Sequence, residues 1–175
     1  MLILEHFSGH FEFTGHMEKI KCHEIIIQPL DLVIAHLGTC DFPCSGTSSV
    51  VSHYLEYRDF TTKVSELCPN AHIIMSGLLP QAGNNRELAN EQIKCFNEAL
   101  KSVGDDETEP NLHFCDNWDH FVSEGHVLSE LYSDPHTLGV HVNDQGSEIL
   151  ATNLMTCVKK VFYWERLGVS LDSNS

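Results

Sequence analysis

The sequence has few basic residues and no long hydrophobic run. Ten lysines and arginines stand against 25 aspartates and glutamates, which gives a formal charge of −15 at pH 7. Such a surface repels phosphate backbones and anionic lipid, so we expect no nucleic-acid partner and no membrane attachment. No segment approaches the ~18 apolar residues of a transmembrane helix. The N-terminal stretch MLILEHFSGHFEF also lacks the basic start of a signal peptide. These absences predict a soluble, cytoplasmic protein.

The cysteine pattern typical of disulfide-stabilised or zinc-binding proteins is absent as well. The seven cysteines are an odd number and are spread along the chain, which predicts reduced thiols. Cys40 and Cys44 have no second pair at zinc-finger spacing. Four histidines near the start could meet a metal, but solvated or packed side chains are the simpler interpretation, and we expect no metal and no cofactor. These histidines are His6, His10, His16 and His23.

What is present predicts one folded domain. The 175 residues are 42% hydrophobic and 20% charged, which is ordinary globular composition. A chain of this length suits a single hydrophobic core. We place the domain at residues 1–166 and expect residues 167–175 to form a disordered tail.

Two kinds of hydrophobic segment alternate along the chain. Short apolar runs, typical of strands buried on both faces, occupy residues 31–38, 71–77 and 112–116. Apolar residues recur at helical spacing over residues 16–28, 47–67, 87–103 and 144–164. This alternation predicts a three-layer α/β/α fold with a parallel sheet covered on both faces. Ligands of such folds bind at the carboxyl ends of the strands.

The loops at those ends contain the first candidate residues. Gly38 follows the first buried strand, where a glycine lets a backbone N–H approach a ligand, although a plain turn explains it equally. Ser76 follows the second, but the G-x-S-x-G motif is absent, which favours a small turn residue. His141 precedes the last helix, which Asn143 or Asp144 can cap. A histidine held there suits a general base, while a packed or capping role stays open.

Four segments resemble, in order, blocks of the SGNH hydrolases, the GDSL-type esterases. PLDLVIAHLGTCD is similar to block III, pDlVvihlGtND, and VHVNDQGSEILATNL is similar to block V, D-x-x-H-L-N-x-x-G followed by a helix. HFSGH resembles the block II glycine segment, and HIIMSGLLPQ resembles the strand between blocks III and V. The resemblance spans residues 6–155 and is closest to the esterase domain in the first open reading frame of LINE-type retrotransposons.

That resemblance implies a flavodoxin-like serine hydrolase that acts on small acyl esters. It makes His141 the general base. It makes Gly9 the block II glycine of the oxyanion hole, with Gly15 as a second candidate, and Gly38 the block III glycine. Cys40 stands where the family has an oxyanion asparagine, and a thiol is a poor hydrogen-bond donor.

Two further departures concern the triad. Leu138 stands three residues before His141, where the family has its aspartate, so Asp134 can serve only if the intervening loop folds back. The GDS motif of block I is absent, so we expect the chain to begin after block I, without the family's first strand. In the alternative interpretation MLILE is a strand and Ser8, shortly after it, is the nucleophile.

These departures bear on activity. Loss of one oxyanion donor costs about 3 kcal/mol of transition-state stabilisation, and loss of the nucleophile removes the acyl-enzyme route. The sequence therefore predicts an SGNH-type esterase that is weakened or inactive. Two alternatives stay open: a non-catalytic module of the same fold that binds a partner or an acyl or carbohydrate ligand, and an enzyme in which Cys40 replaces the serine.

Overall fold

The computed structural model describes residues 2–5, 31–42 and 50–167. Several expectations lie outside these ranges. They concern the helix over residues 16–28, residues 168–175 of the expected tail, the histidines near the start and three candidate site residues, Ser8, Gly9 and Gly15. Residue 167, where the tail was expected to begin, belongs instead to the last helix.

A parallel sheet lies at the centre of the described structure. Its four strands are β1 (Leu2–Glu5), β2 (Leu32–His36), β3 (His72–Ser76) and β4 (Leu112–Cys115), arranged in that order. Each strand pairs in parallel with the next, so all carboxyl ends lie at one edge. The expected α/β fold is confirmed. A short strand, β1, precedes β2. The expected absence of the family's first strand stays a prediction.

In the described part of the chain, three helices cover the two faces of the sheet. They are α1 (Val50–Leu67), α2 (Glu87–Gly104) and α3 (Asp144–Leu167), which confirms three of the predicted helices. Side chains of a strand point alternately to its two faces. Thus Val33 and Ile73 pack in the cluster formed with α1 and α2. Ile34 and Ile74 pack instead in the cluster formed with α3.

Shorter elements fill the connection between β4 and α3. β5 (Val122–Ser123) and β6 (His126–Val127) form an antiparallel hairpin. Its turn places Glu124 and Gly125 at positive φ, 51° and 81°. Within residues 2–5, 31–42 and 50–167, no helix is long and apolar enough to cross a membrane.

One pair of cysteines contradicts the expectation of reduced thiols. Cys115, at the end of β4, forms a disulfide with Cys157 of α3, and their Cα atoms lie 6.0 Å apart. No spacing motif marks the pair because 42 residues separate them in sequence and the packing of α3 on the sheet brings them together. Cys68 and Cys95 are free thiols.

Candidate active site

The loop that carries His141 is closed at its base. Tyr132 and Val142 form an antiparallel bridge. On either side of it, the Ser133 N–H donates to the His141 carbonyl at 2.8 Å and the Asn143 N–H donates to the Leu131 carbonyl at 2.9 Å. The chain from Tyr132 to Val142 therefore forms a closed loop. This is the fold-back that Asp134 needs in order to reach His141.

Asp134 and His141 consequently lie side by side. Asp134 Oδ2 is 3.2 Å from His141 Nδ1, and its Oδ1 accepts the His141 backbone N–H at 3.1 Å. The His141 side chain is 41% exposed and that of Asp134 is 21% exposed. Partial burial opposes ionisation of Asp134, but hydrogen bonds from the His141 backbone and ring, and from the Gly139 N–H, outweigh it and lower the pKa of the carboxyl. A charged carboxylate thus faces the imidazole at neutral pH.

The start of α3 fixes the residues that follow His141. Asn143 Oδ1 accepts the Gly146 N–H at 3.0 Å, so Asn143 caps the helix, as the sequence allowed. A Cβ on Gly146 would come within 2.4 Å of the Leu131 carbonyl oxygen. The N-x-x-G spacing therefore serves the cap and the close packing of the first helical turn against the base of the loop.

Two glycines join this loop to the segment after β3. The Ala82 N–H donates to the Gly139 carbonyl at 2.8 Å. Gly139 has φ of +62°, and a Cβ there would lie 2.0 Å from the Gly83 nitrogen. The buried Tyr132 hydroxyl also donates to the Pro80 carbonyl. The loop with the Asp134–His141 pair is thus held against a second loop at the same sheet edge.

The turn after β2 is held by a residue that the sequence did not single out. Gly38 adopts φ of +106° and leads into a short helical turn, Thr39–Asp41, which contains Cys40. Gln81 is 2% exposed, and its Nε2 donates to the carbonyls of Thr39 at 2.8 Å and Phe42 at 2.9 Å. Arg86 Nη1 in turn donates to Gln81 Oε1 at 3.2 Å. Gly38 and Cys40 therefore lie in a turn braced from the β3–α2 connection.

A second polar network went unnoticed in the sequence because its members come from four segments. His36 Nδ1 lies 2.8 Å from Ser76 Oγ, and Asn117 Nδ2 donates to the same oxygen at 2.8 Å. Asn153 Nδ2 then donates to Asn117 Oδ1 at 2.8 Å. Ser76, expected to be a small turn residue, is instead the last residue of β3 and is fully buried, which argues against a nucleophile.

A groove of about 810 Å³ lies beside this edge, between α2 and the connection that holds the β5–β6 hairpin. Its α2 wall carries side chains of both signs, including Glu87, Lys94 and Glu98, and Phe114 and Trp118 line the opposite side. Within the described ranges, no three histidine, cysteine or acidic side chains are grouped to hold a metal ion.

The described structure is thus an α/β protein with a parallel sheet between helical layers and a histidine–carboxylate pair at the carboxyl edge of the sheet. The chain belongs to the GDSL-like lipase/acylhydrolase family, whose family model matches residues 14–149. The matched range contains Gly38, Asp134 and His141 and leaves out Ser8 and Gly9. The SGNH family predicted from the sequence is thereby confirmed.

Solved structures show the same fold. A "putative platelet activating factor" from Streptococcus pneumonia matches with a TM-score of 0.67 at 19% identity, over 83% of this chain and 67% of that one. A GDSL-like lipase from Bacteroides thetaiotaomicron matches with a TM-score of 0.58 at 18% identity, over 74% of this chain. A "putative acylhydrolase" from Bacteroides fragilis matches with a TM-score of 0.57 at 19% identity, also over 74%.

The chain spans 62% of the length of each of the two Bacteroides structures. No curated protein matches its sequence.

Proposed function

We propose that this chain is a serine esterase of small acyl esters whose activity is weakened relative to its family. The observation that carries the proposal is the contact between Asp134 Oδ2 and His141 Nδ1 at 3.2 Å. It gives the histidine an orienting carboxylate although Leu138 occupies the family's aspartate position. The proposed partner is the ester itself, and the route needs no cofactor.

His141 is the proposed general base. With its Nδ1–H donated to Asp134, the second ring nitrogen, Nε2, carries the lone pair that accepts a proton. In the proposed reaction a serine Oγ attacks the acyl carbon, and its proton passes to Nε2. His141 then gives that proton to the departing alcohol, and water repeats both steps to release the acid. The charged Asp134 stabilises the imidazolium that forms in between.

Ser8 is the proposed nucleophile. β1 pairs in parallel with β2, with Glu5 opposite His36. β1 therefore ends at the sheet edge where Gly38 follows β2, and this supports Ser8, three residues after Glu5 in sequence, as the choice of nucleophile. The N–H groups of Gly9 and Gly38 are the proposed oxyanion donors. Cys40, in place of the asparagine, is the reason we expect weakened turnover.

The test is intact mass after fluorophosphonate treatment, together with hydrolysis of p-nitrophenyl acetate and butyrate. We expect a single adduct that is absent in Ser8→Ala, and hydrolysis that is lost in His141→Ala. His136→Ala is the matched control, since His136 is exposed on the same loop and has no proposed role. An adduct on another serine would refute Ser8 alone. A folded chain that neither forms an adduct nor hydrolyses either ester would refute the proposal.

That last result would favour the second candidate, a non-catalytic module of the same fold. The groove of about 810 Å³ beside the edge is the feature that favours it, because it offers a binding surface that requires no nucleophile.

An enzyme with Cys40 as nucleophile is a third candidate. Hydrolysis that survives Ser8→Ala but is abolished by iodoacetamide and by Cys40→Ser would favour it. The likeness to retrotransposon esterases and a cytoplasmic location also stay proposals.

A further inference from the structure

The network around Ser76 determines which nitrogen of His36 carries the proton. Asn117 Nδ2 donates to Ser76 Oγ at 2.8 Å and to the Gly77 carbonyl at 2.6 Å, so its amide acts there as donor. The Ser76 hydroxyl can donate one hydrogen bond, through its own O–H. Among the hydrogen bonds of the described residues, its remaining contact is His36 Nδ1 at 2.8 Å. Ser76 therefore donates to Nδ1, and His36 holds its proton on Nε2.

The same network fixes the orientation of that ring. Asn153 donates to Asn117 Oδ1 at 2.8 Å and to the Asp116 carbonyl at 2.6 Å. It thereby prevents the Asn117 amide from turning its oxygen toward Ser76. The chain of contacts from α3 to β2 leaves one consistent set of donors and acceptors, and a ring held this way needs little reorganisation to bind a ligand.

His36 lies at the carboxyl edge of the sheet, where the ester site is expected. It is the last residue of β2, which is paired on both sides, and it is only partly buried. Nδ1 faces the fully buried Ser76, so Nε2–H lies on the side of the ring away from that network. Gly38 and Cys40 follow within four residues.

We propose that His36 is a fixed neutral donor of this site, whose Nε2–H binds the ester oxygen as it becomes negative. It would thus supply the donor that the family places at the Cys40 position. This inference rests on the proposed esterase function. An imidazole N–H is a better donor than a thiol, and a neutral histidine can act as an electrophile toward a carbonyl.

The surroundings of His36 favour the neutral ring. Burial lowers its pKa to about 4, so the Nε2–H form persists at neutral pH. Ser76 of β3, which contacts the ring, and Asn117, which contacts Ser76, are both uncharged. On β1, Glu5 is the residue opposite in register and is the nearest ionisable residue along that strand.

The first arm of the test measures the tautomer by ¹⁵N NMR of the labelled full-length chain. At pH 7 we expect a protonated Nε2 and an unprotonated Nδ1 at His36. Butyrate, the carboxylate product, should shift the Nε2–H resonance of His36 and leave that of the exposed His136 unchanged. A charged ring, an Nδ1–H tautomer, or no response to butyrate would overturn the proposal, whether or not the chain hydrolyses esters.

The second arm is kinetic. His36→Leu should lower kcat about a hundredfold, the usual effect of removing one oxyanion donor, with little change in KM. His36→Gln should recover part of this loss because its amide restores an N–H, and His136→Gln is the control. Unchanged kcat in His36→Leu would overturn the proposal. Failure of the wild-type chain to hydrolyse any ester would instead count against the esterase function, and the butyrate arm would then decide the role of His36.

Discussion

At the scale of single residues, Asp134 shows that a triad acid is defined by where its carboxylate lies. The family position three residues before His141 holds Leu138, which is 52% exposed and makes no polar contact of this kind. Asp134 lies seven residues before His141 and binds both its ring and its backbone N–H. The loop length differs, but the atom facing Nδ1 is still a carboxylate oxygen.

We predict that Asp134→Asn lowers kcat by about 10²–10⁴-fold, since an amide can donate to Nδ1 and hold the wrong tautomer of the base. The measurement is p-nitrophenyl butyrate hydrolysis. Asp119→Asn, at an exposed aspartate beside the groove, should have little effect. Equal loss in both variants, or none in Asp134→Asn, would remove Asp134 from the proposed triad.

The same variant should reveal the lowered pKa of Asp134 as a stability effect. A carboxyl whose pKa is lower in the folded state stabilises the fold above its unfolded pKa of 3.8, and this contribution disappears as pH falls through the folded value. The stability difference between wild type and Asp134→Asn should therefore be present above pH 3.8 and shrink as the pH falls below it. Urea unfolding across pH 3–7 would measure it.

At the scale of elements, the position of the His141 loop depends on contact between two glycine backbones. Gly139 needs positive φ, and its Cα lies against Gly83 and Ala82 of the β3–α2 connection. Since the proposed base lies two residues after Gly139, any shift of this contact moves the ring relative to the turn at Gly38. Neither glycine forms part of a recognisable motif in the sequence.

We predict that Gly139→Ala both destabilises the protein and reduces esterase activity. A left-handed alanine alone costs about 1 kcal/mol. Here the Cβ would also meet the Gly83 nitrogen at 2.0 Å, so the backbone must move. Gly125→Ala is the matched control, because Gly125 also has positive φ, +81°, but a Cβ there meets nothing within 4 Å. Similar losses of thermal stability and kcat in both variants would contradict the role of the contact.

Elements were predictable where their signals are local. Repeating apolar residues marked α1, α2 and α3, and short apolar runs marked β2, β3 and β4, because these patterns follow from the helical and strand periods. Asn143 could be recognised as a cap for the same reason. Gln81 and Asn117 could not be recognised, since each is an ordinary polar residue until packing places it against a partner about 40 residues away. The disulfide between Cys115 and Cys157 was not predicted for the same reason.

At the scale of the whole molecule, the sequence and the disulfide favour different cellular compartments. The charge of −15 and the odd, scattered cysteines predict a cytoplasmic protein with reduced thiols. The disulfide between β4 and α3 is instead typical of an oxidising compartment. It also lies beside the proposed site. Asn153, one helical turn before Cys157, binds Asn117 and so supports the network that reaches His36.

The last prediction therefore concerns the disulfide as a brace between sheet and helix. Closing a loop of 42 residues restricts the unfolded chain, and the chain-entropy model gives about 4 kcal/mol of stabilisation. Dithiothreitol, or Cys157→Ser, should lower the Tm by about 10 °C for a chain of this size. Cys95→Ser, at an exposed free thiol, should leave it unchanged. Peptide mapping without reductant should recover Cys115 joined to Cys157. Equal Tm values with and without reductant, or a map that joins neither cysteine, would show that the helix is held to the sheet by packing alone.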